Sequence, residues 1–342
     1  FNYIQSYRII KKIMLLDPYK RPVNYLRVSV TDRCDFRCQY CMAENMKFLP
    51  KKEILSLQEI ERICTTFIKL GTKKIRITGG EPLVRKNVMQ LFNNLGKFIK
   101  SQGLNELTLT TNGSQLSKYA KDLFKCGVRR VNVSIDTLDP ILFSKLTRRG
   151  DLGKVLDGIR VAKDAGLAVK INTVALKNSN EHEIVNILKW AHQNDCDMTI
   201  IETMPLGEID YDRTDQFLSV SKVKDDIEKY FTLTKSTHYT GGPSRYYNIS
   251  ETGKRVGFIT PLTHNFCELC NRVRLTCTGK LYMCLGQNDS ADFKNAAKSK
   301  NWEEDLNKSI IEAISRKPKG HDFVIRRKQG PSVNRHMSVT GG

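Results

Sequence analysis

The chain has 342 residues, 40% of them hydrophobic, an ordinary share for a soluble protein with room for one large barrel-like domain and a smaller appendage. Lysine and arginine outnumber aspartate and glutamate by 56 to 36, a net charge of +20, but the lysines are scattered in short groups such as Lys11-Lys12, Lys51-Lys52, Lys73-Lys74 and the stretch 317–328. That scatter argues against a dedicated nucleic-acid arm, and no apolar run approaches the roughly 20 residues of a membrane helix.

In chain order, positions 1–20 lack a cleavable secretory pattern, and the expected location is the cytoplasm. The sequence does not begin with Met, and its basic, amphipathic opening leaves a trimmed organellar leader open. The first predicted strand, 25–30, runs into Thr-Asp-Arg-Cys-Asp-Phe-Arg-Cys-Gln-Tyr-Cys, a loop holding Cys34, Cys38 and Cys41. In a reducing compartment such grouped cysteines read as ligands rather than disulfides. Three thiolates are one short of a closed zinc site, whereas a cubane iron–sulfur cluster held by three cysteines leaves one iron open to a ligand. The uneven spacing favours the cluster, with zinc as the lesser alternative.

Ser56-Leu-Gln-Glu59 reads as a capping box opening a helix that runs to about residue 70, where Gly71 ends it. Strands and helices then alternate: strand 74–77, helix 88–99, strand 106–110, helix 118–126, strand 130–134, helix 155–165, strand 169–174, helix 181–193, strand 198–202. Six βα-type strands imply a parallel sheet whose chemistry gathers at the C-terminal strand ends. Cys34, Gly79-Gly80-Glu81-Pro82, Thr110-Thr111-Asn112-Gly113, Ser134-Ile135-Asp136 and Met204-Pro205 all follow such ends. The paired glycines suit a tight turn or close approach to a ligand, and Glu81 is placed to receive an ammonium group.

From residue 206 the pattern changes to a polar linker with Asp210, Asp212 and Asp215, a helix at 221–230, Gly241-Gly242-Pro243, short strands at 254–259, 273–276 and 280–283, and a helix at 302–314. The organisation is therefore a barrel over 1–205 and a second, cysteine-dependent region over 206–342. Cys267, Cys270, Cys277 and Cys284 fit a four-thiolate zinc knuckle, or a three-cysteine cluster that leaves Cys277 spare. Asn271-Arg272-Val273-Arg274 puts two guanidinium groups on one strand face, suited to a polyphosphate and of no use to a structural zinc. Cys64, Cys126 and Cys196 read as core, and His264 as a loop histidine with some capacity to ligate.

The spacing Cys-x3-Cys-x2-Cys with Tyr40 before the last cysteine resembles the signature of radical S-adenosylmethionine (SAM) enzymes. That resemblance implies an incomplete (βα)6 barrel, a [4Fe-4S] cluster on Cys34, Cys38 and Cys41, and SAM on its open iron. By the same resemblance Gly79, Gly80 and Glu81 stand against the methionyl amine of SAM, Ser134 and Met204 contact it, and Tyr40 lies near its adenine. The stretch Asn265-Phe-Cys-Glu-Leu-Cys-Asn-Arg-Val-Arg-Leu, the spacing from Cys270 to Cys284 and the terminal Gly341-Gly342 are similar to the GTP 3′,8-cyclase family of molybdenum cofactor biosynthesis, over nearly the whole chain.

The second resemblance implies another [4Fe-4S] cluster on Cys267, Cys270 and Cys284 that binds guanine. Substrate contacts carry over to Arg27, Arg76, Thr110, Lys170, Arg272, Val273 and Arg274, and Gly341 and Gly342 reach into the active site. A 5′-deoxyadenosyl radical formed from SAM would remove the C3′ hydrogen of GTP to begin cyclisation. Two positions depart from the family pattern: Thr199 stands where an arginine is common, and Cys277 where a small residue is. The expected partners are GTP, an external one-electron donor and, transiently, the next enzyme of the pathway, with a homodimer open and neither membrane nor nucleic acid involved. The competing readings are a radical SAM peptide-modifying enzyme with an auxiliary cluster and a zinc- or cluster-containing RNA-binding regulator.

Overall fold

Polar and apolar residues alternate through the first five strands. Leu26 and Val28 of β1 (Tyr25–Ser29), Ile75 and Ile77 of β2 (Lys74–Thr78), Leu107 and Leu109 of β3 (Glu106–Thr111), Val131 and Val133 of β4 (Arg130–Ser134), and Val169 and Ile171 of β5 (Ala168–Ala175) all join the hydrophobic core. Between them Arg27, Arg76, Thr108, Asn132 and Lys170 are also buried. Side chains in a strand point alternately to opposite faces, so the apolar set meets the surrounding helices and the polar set turns into the barrel. Each buried aliphatic side chain contributes about 1.5–3 kcal/mol, so the outer face carries the stability and leaves the inner face free to be polar.

The computed structural model describes residues 14–101, 103–207, 209, 212–263, 266–321, 323–326 and 330–341. The expectations on Lys11, Lys12, Asp210, His264, Asn265, Lys328 and Gly342 lie outside the described residues. Between the first strands run α1 (Leu57–Lys69), α2 (Val88–Lys100), α3 (Leu116–Lys125), α4 (Pro140–Thr147) and α5 (Leu152–Asp164). After β5 come α6 (Ile184–Gln193), β6 (Asp197–Glu202), α7 (Arg213–Gln216), α8 (Val220–Glu228), β7 (Leu233–Lys235), β8 (Arg245–Ile249) and β9 (Arg255–Ile259). The chain continues through β10 (Arg272–Leu275), β11 (Lys280–Tyr282), β12 (Ser290–Asp292), α9 (Lys294–Lys298), α10 (Trp302–Ser315) and α11 (Met337–Thr340). Ser56 and Glu59 do form the capping box at α1: Glu59 N donates to Ser56 Oγ at 3.1 Å and Ser56 N to Glu59 Oε2 at 2.6 Å.

The strands make one sheet in the order β12-β11-β10-β1-β2-β3-β4-β5-β6-β9-β8-β7. The six βα strands β1 to β6 are present and parallel, but they are not the whole array. β10 adds to β1 and β9 to β6, both in parallel, so the region after residue 205 extends the barrel at both edges instead of building a separate sheet. The short antiparallel strands β7, β8 and β12 were not anticipated from sequence. Neither was α4, although its signal was legible: Asp139 Oδ1 accepts from Ile141 N at 2.7 Å and Leu142 N at 3.0 Å, and Pro140 occupies the first turn. Among the described residues no helix is long and apolar enough to cross a membrane.

Phe293, fully buried after β12, packs against Phe67 of α1 with ring centroids 6.5 Å apart, joining the C-terminal region to the first helix. Phe293→Ala is expected to lower unfolding free energy by about 3–5 kcal/mol in a single denaturant transition. An earlier, separate transition of the C-terminal region would contradict the continuous sheet.

Candidate active site

The loop after β1 holds its cysteines against α4. Arg37 N donates to Thr147 O at 2.8 Å and Gln39 N to Leu146 O at 3.0 Å, while the Arg37 guanidinium donates to the carbonyls of Cys34 and Phe36 and lies 4.6 Å from the Phe48 ring centroid. Cys34, Cys38 and Cys41 are each half-buried and line one cavity with Tyr40, Gly79, Gly80, Ser134 and Met204. Burial raises the Cys34 and Cys38 thiols, and the neighbouring thiols push them further the same way, so the three are mutual electrostatic neighbours. Among the described residues no set of three His, Cys, Asp or Glu side chains closes on a single ion. Three thiols turned to a shared cavity suit a cubane cluster, which three cysteines can hold with one iron left open.

Gly79 and Gly80 are required first by the protein itself. Gly80 N donates to Thr31 O at 2.8 Å, and a Cβ would stand 2.6 Å from Thr31 O at position 79 and 2.4 Å from Arg33 O at position 80. The close approach read from sequence is thus, in part, to the cysteine loop. Glu81 stands behind the two glycines. Its carboxylate is fully buried and accepts from Leu83 N at 2.9 Å, Thr111 Oγ1 at 2.8 Å and Asn112 N at 2.7 Å, so it braces the loop and does not line the cavity. Burial raises it to about 7, against the pull of those three donors. Across the cavity Tyr40 Oη donates to Asp136 Oδ2 at 2.5 Å, and Val174 N donates to Asp136 Oδ1 at 2.8 Å. This fixes the Tyr40 ring beside the last cysteine.

A second cavity continues from the first, sharing Asn172, Ile201, Met204 and Met337. The two enclose about 1160 and 1050 Å³ of space, open solvent at their mouths included. Arg27, Arg76, Lys170, Arg272 and Arg274 line the second, and no Asp or Glu is among its described lining residues. Register brings them together: Arg27 of β1 lies between Arg274 of β10 and Arg76 of β2, and Tyr25, also of β1, lies between Arg272 and Lys74. Burial holds Arg27 down to about 10, opposed by Tyr25, and the like charges of Arg76 and Arg272 lower it too. Burial alone would raise Tyr25, but Arg76, Arg27, Lys74 and Arg272 outweigh it and bring the phenol to about 7. Nε of Arg76 is buried without a hydrogen-bond partner, and its Nη1 reaches Thr110 Oγ1 only at 3.5 Å. Such a cavity is built for a polyanion.

Cys267, Cys270 and Cys284 line the same cavity, and Cys284 is raised by burial and by the other two thiols. Cys270 goes the other way: burial would raise it, but Arg272 and Lys317 bring it to about 7, favouring the ligating thiolate. Cys277 is not with them. It is fully buried near Asp32 and Arg85, with its carbonyl accepting from Leu55 N at 2.8 Å. Between Arg272 and Arg274, alternation turns the Val273 side chain into the hydrophobic core, away from the cavity that its neighbours line. Sequence reasoning missed a suture behind the second cysteine group. Arg21 donates to Cys267 O at 2.6 Å and pairs with buried Asp17 at 2.6 Å, while Lys317 Nζ donates to Cys270 O at 3.0 Å.

The C-terminal tail enters between these sites. Arg335 donates to Leu285 O at 2.8 Å and Gln287 O at 2.9 Å, Met337 and Ser338 line the first cavity, and Gly341 O accepts from Arg274 Nη1 at 2.5 Å. Gly341 has φ +77°, and a Cβ there would fall 1.8 Å from Thr78 Oγ1, so a side chain cannot be accommodated without displacement.

Residues 28–191 match the Radical SAM superfamily, and residues 196–323 match Molybdenum Cofactor Synthesis C. The chain is 61% identical to a Brucella ovis protein named GTP 3′,8-cyclase, covering 96% of each chain. A Rhizobium etli protein of the same name is 62% identical, covering 96% of this chain and 94% of the relative. Among solved structures, Streptococcus suis SuiB bound to S-adenosylmethionine is similar in fold alone, with a TM-score of 0.58 at 15% identity over 94% of this chain and 78% of that one. From the geometry of the second cysteine group, Cys284→Ser is expected to lose about half of the iron bound after anaerobic reconstitution, while Cys277→Ser retains it. Equal loss from both would restore the four-cysteine reading.

Proposed function

The chain belongs to the GTP 3′,8-cyclase family, and we propose that its two joined cavities hold SAM and GTP side by side within one barrel. It is a radical SAM lyase that converts GTP to (8S)-3′,8-cyclo-7,8-dihydroguanosine 5′-triphosphate, an early step of molybdopterin biosynthesis. Its cofactors are two [4Fe-4S] clusters and SAM. When bound, they supply the one-electron chemistry that abstracts hydrogen from the ribose and an open iron for the guanine.

The chain's own residues hold, orient and enclose. Cys34, Cys38 and Cys41 would hold the first cluster, and Cys267, Cys270 and Cys284 the second. Gly79, Gly80, Ser134, Met204 and Tyr40 would bind SAM, with Glu81 positioning their loop and Asp136 fixing Tyr40. Arg27, Arg76, Lys170, Arg272 and Arg274 would grip the triphosphate, with Thr110 beside Arg76 and Val273 holding the two C-terminal arginines to one face. The observation that carries this reading is the convergence of five cations on a cavity whose described lining includes no carboxylate. Fixing the phosphates fixes the ribose, and positioning of this kind is worth about 7–11 kcal/mol of barrier in favourable cases. The electron must come from an external donor, and the product passes to the next enzyme of the pathway. A cytoplasmic location belongs to the same proposal and follows from the reducing conditions that both cysteine groups require.

Anaerobic turnover with SAM, reductant and GTP tests the reading: 5′-deoxyadenosine and cyclised nucleotide are expected together, and SAM cleavage without a GTP-derived product would overturn it. Gly341→Val is expected to cut cyclised product at least tenfold, about 1.4 kcal/mol in barrier terms, while iron content and SAM cleavage persist. Product formation within twofold of the parent would deny the tail its role.

A further inference from the structure

Lys170 enters the second cavity from β5, three strands from Arg76 of β2 and four from Arg27 of β1. It is 6% exposed, and a buried ammonium on a flexible stem needs a partner to stay charged and stay in place. Its Nζ donates to the Tyr246 hydroxyl at 2.9 Å and lies 5.4 Å from the Tyr246 ring centroid. That hydroxyl also meets Thr240 Oγ1 at 3.3 Å, and the ring is braced by His238 in an edge contact at 4.9 Å. Burial lowers Lys170 to about 8, with Tyr246 pulling the other way and Arg76 and Arg130 adding to the fall.

Tyr246 has to cross the sheet to make this contact. It belongs to β8, which pairs with β9 at Tyr246↔Gly257, and β9 pairs with β6 at Thr199↔Gly257. The path is open because the intervening residue has no side chain: a Cβ on Gly257 would lie 2.2 Å from Ser244 Oγ and 2.9 Å from Tyr246 Cε1. On β6 the corresponding position is the short, buried Thr199, which adds no cation. The same stretch holds a second lysine, since Thr240 O accepts from Lys74 Nζ at 2.6 Å.

We propose that Tyr246 is a positioning residue, which aims the Lys170 ammonium at the triphosphate of GTP across a floor made of Gly257 and Thr199. The proposal rests on the second cavity being the GTP site. Tyr246→Phe removes one oxygen and keeps the ring, so it tests the hydrogen bond and not the packing.

Equilibrium dialysis of GTP and of guanosine against the anaerobically reconstituted holoenzyme, with iron content and SAM cleavage as checks of integrity, reads the effect. Tyr246→Phe is expected to weaken GTP binding about tenfold and leave guanosine binding within twofold. Lys170→Ala should weaken GTP at least as much, and the double variant no further than Lys170→Ala alone. GTP binding within twofold of the parent in Tyr246→Phe, alongside a weakened Lys170→Ala, would overturn the role of Tyr246 and leave the GTP site standing. Equal loss of GTP and guanosine would make Tyr246 merely structural. Parental GTP binding in Lys170→Ala would overturn this proposal and leave the triphosphate to the four arginines of the cavity.

Discussion

Like charges abreast in a barrel interior are the constraint on which the structure depends. Arg274, Arg27 and Arg76 lie side by side on β10, β1 and β2, the first half-buried and the other two buried, with no carboxylate among the described lining residues of the cavity they face. Burial and mutual repulsion oppose their charges, as the lowered Arg27 and the well-lowered Arg274 record. The fold tolerates this because the other face of the same strands is aliphatic and packed on helices. A ligand carrying several negative charges relieves the repulsion, so binding and stability are linked: whatever neutralises the layer stabilises the folded chain.

The C-terminal region completes this layer instead of standing beside it. β10 brings Arg272 and Arg274 into register with β1, and the loop before it carries Cys267 and Cys270, whose carbonyls are held by Arg21 and Lys317. At the opposite edge β9 and β8 bring Gly257 and Tyr246 to Lys170. The tail then ties Arg274 through Gly341 O, so one arginine serves the cavity wall and the entry of the chain terminus. Tail, second cysteine group and cation layer are therefore one mechanical unit.

Much of this was legible from local pattern. The capping box at Ser56 and the βα rhythm are short-range signals, and the cysteine spacing reports the loop directly. Alternation was legible as well, since Lys74-Ile-Arg-Ile-Thr78 already separates a cationic face from an aliphatic one. What sequence could not supply was which neighbour a residue meets. Glu81 looked free to receive an ammonium until β3 brought Thr111 and Asn112 against it. Val273 sat inside a binding motif, yet period two sends it to the core. Cys277 could join a four-cysteine site in sequence, whereas the β10–β11 turn carries it toward Asp32. The parallel pairing of β10 with β1 spans about 250 positions, a separation no local signal encodes.

The most direct test of the cation layer is a crystal structure of the anaerobically reconstituted holoenzyme with SAM and GTP. Triphosphate oxygens within hydrogen-bond distance of Arg27, Arg76, Arg272, Arg274 and Lys170 are the predicted result. A triphosphate directed to solvent, with the base or SAM occupying the layer instead, would contradict the account.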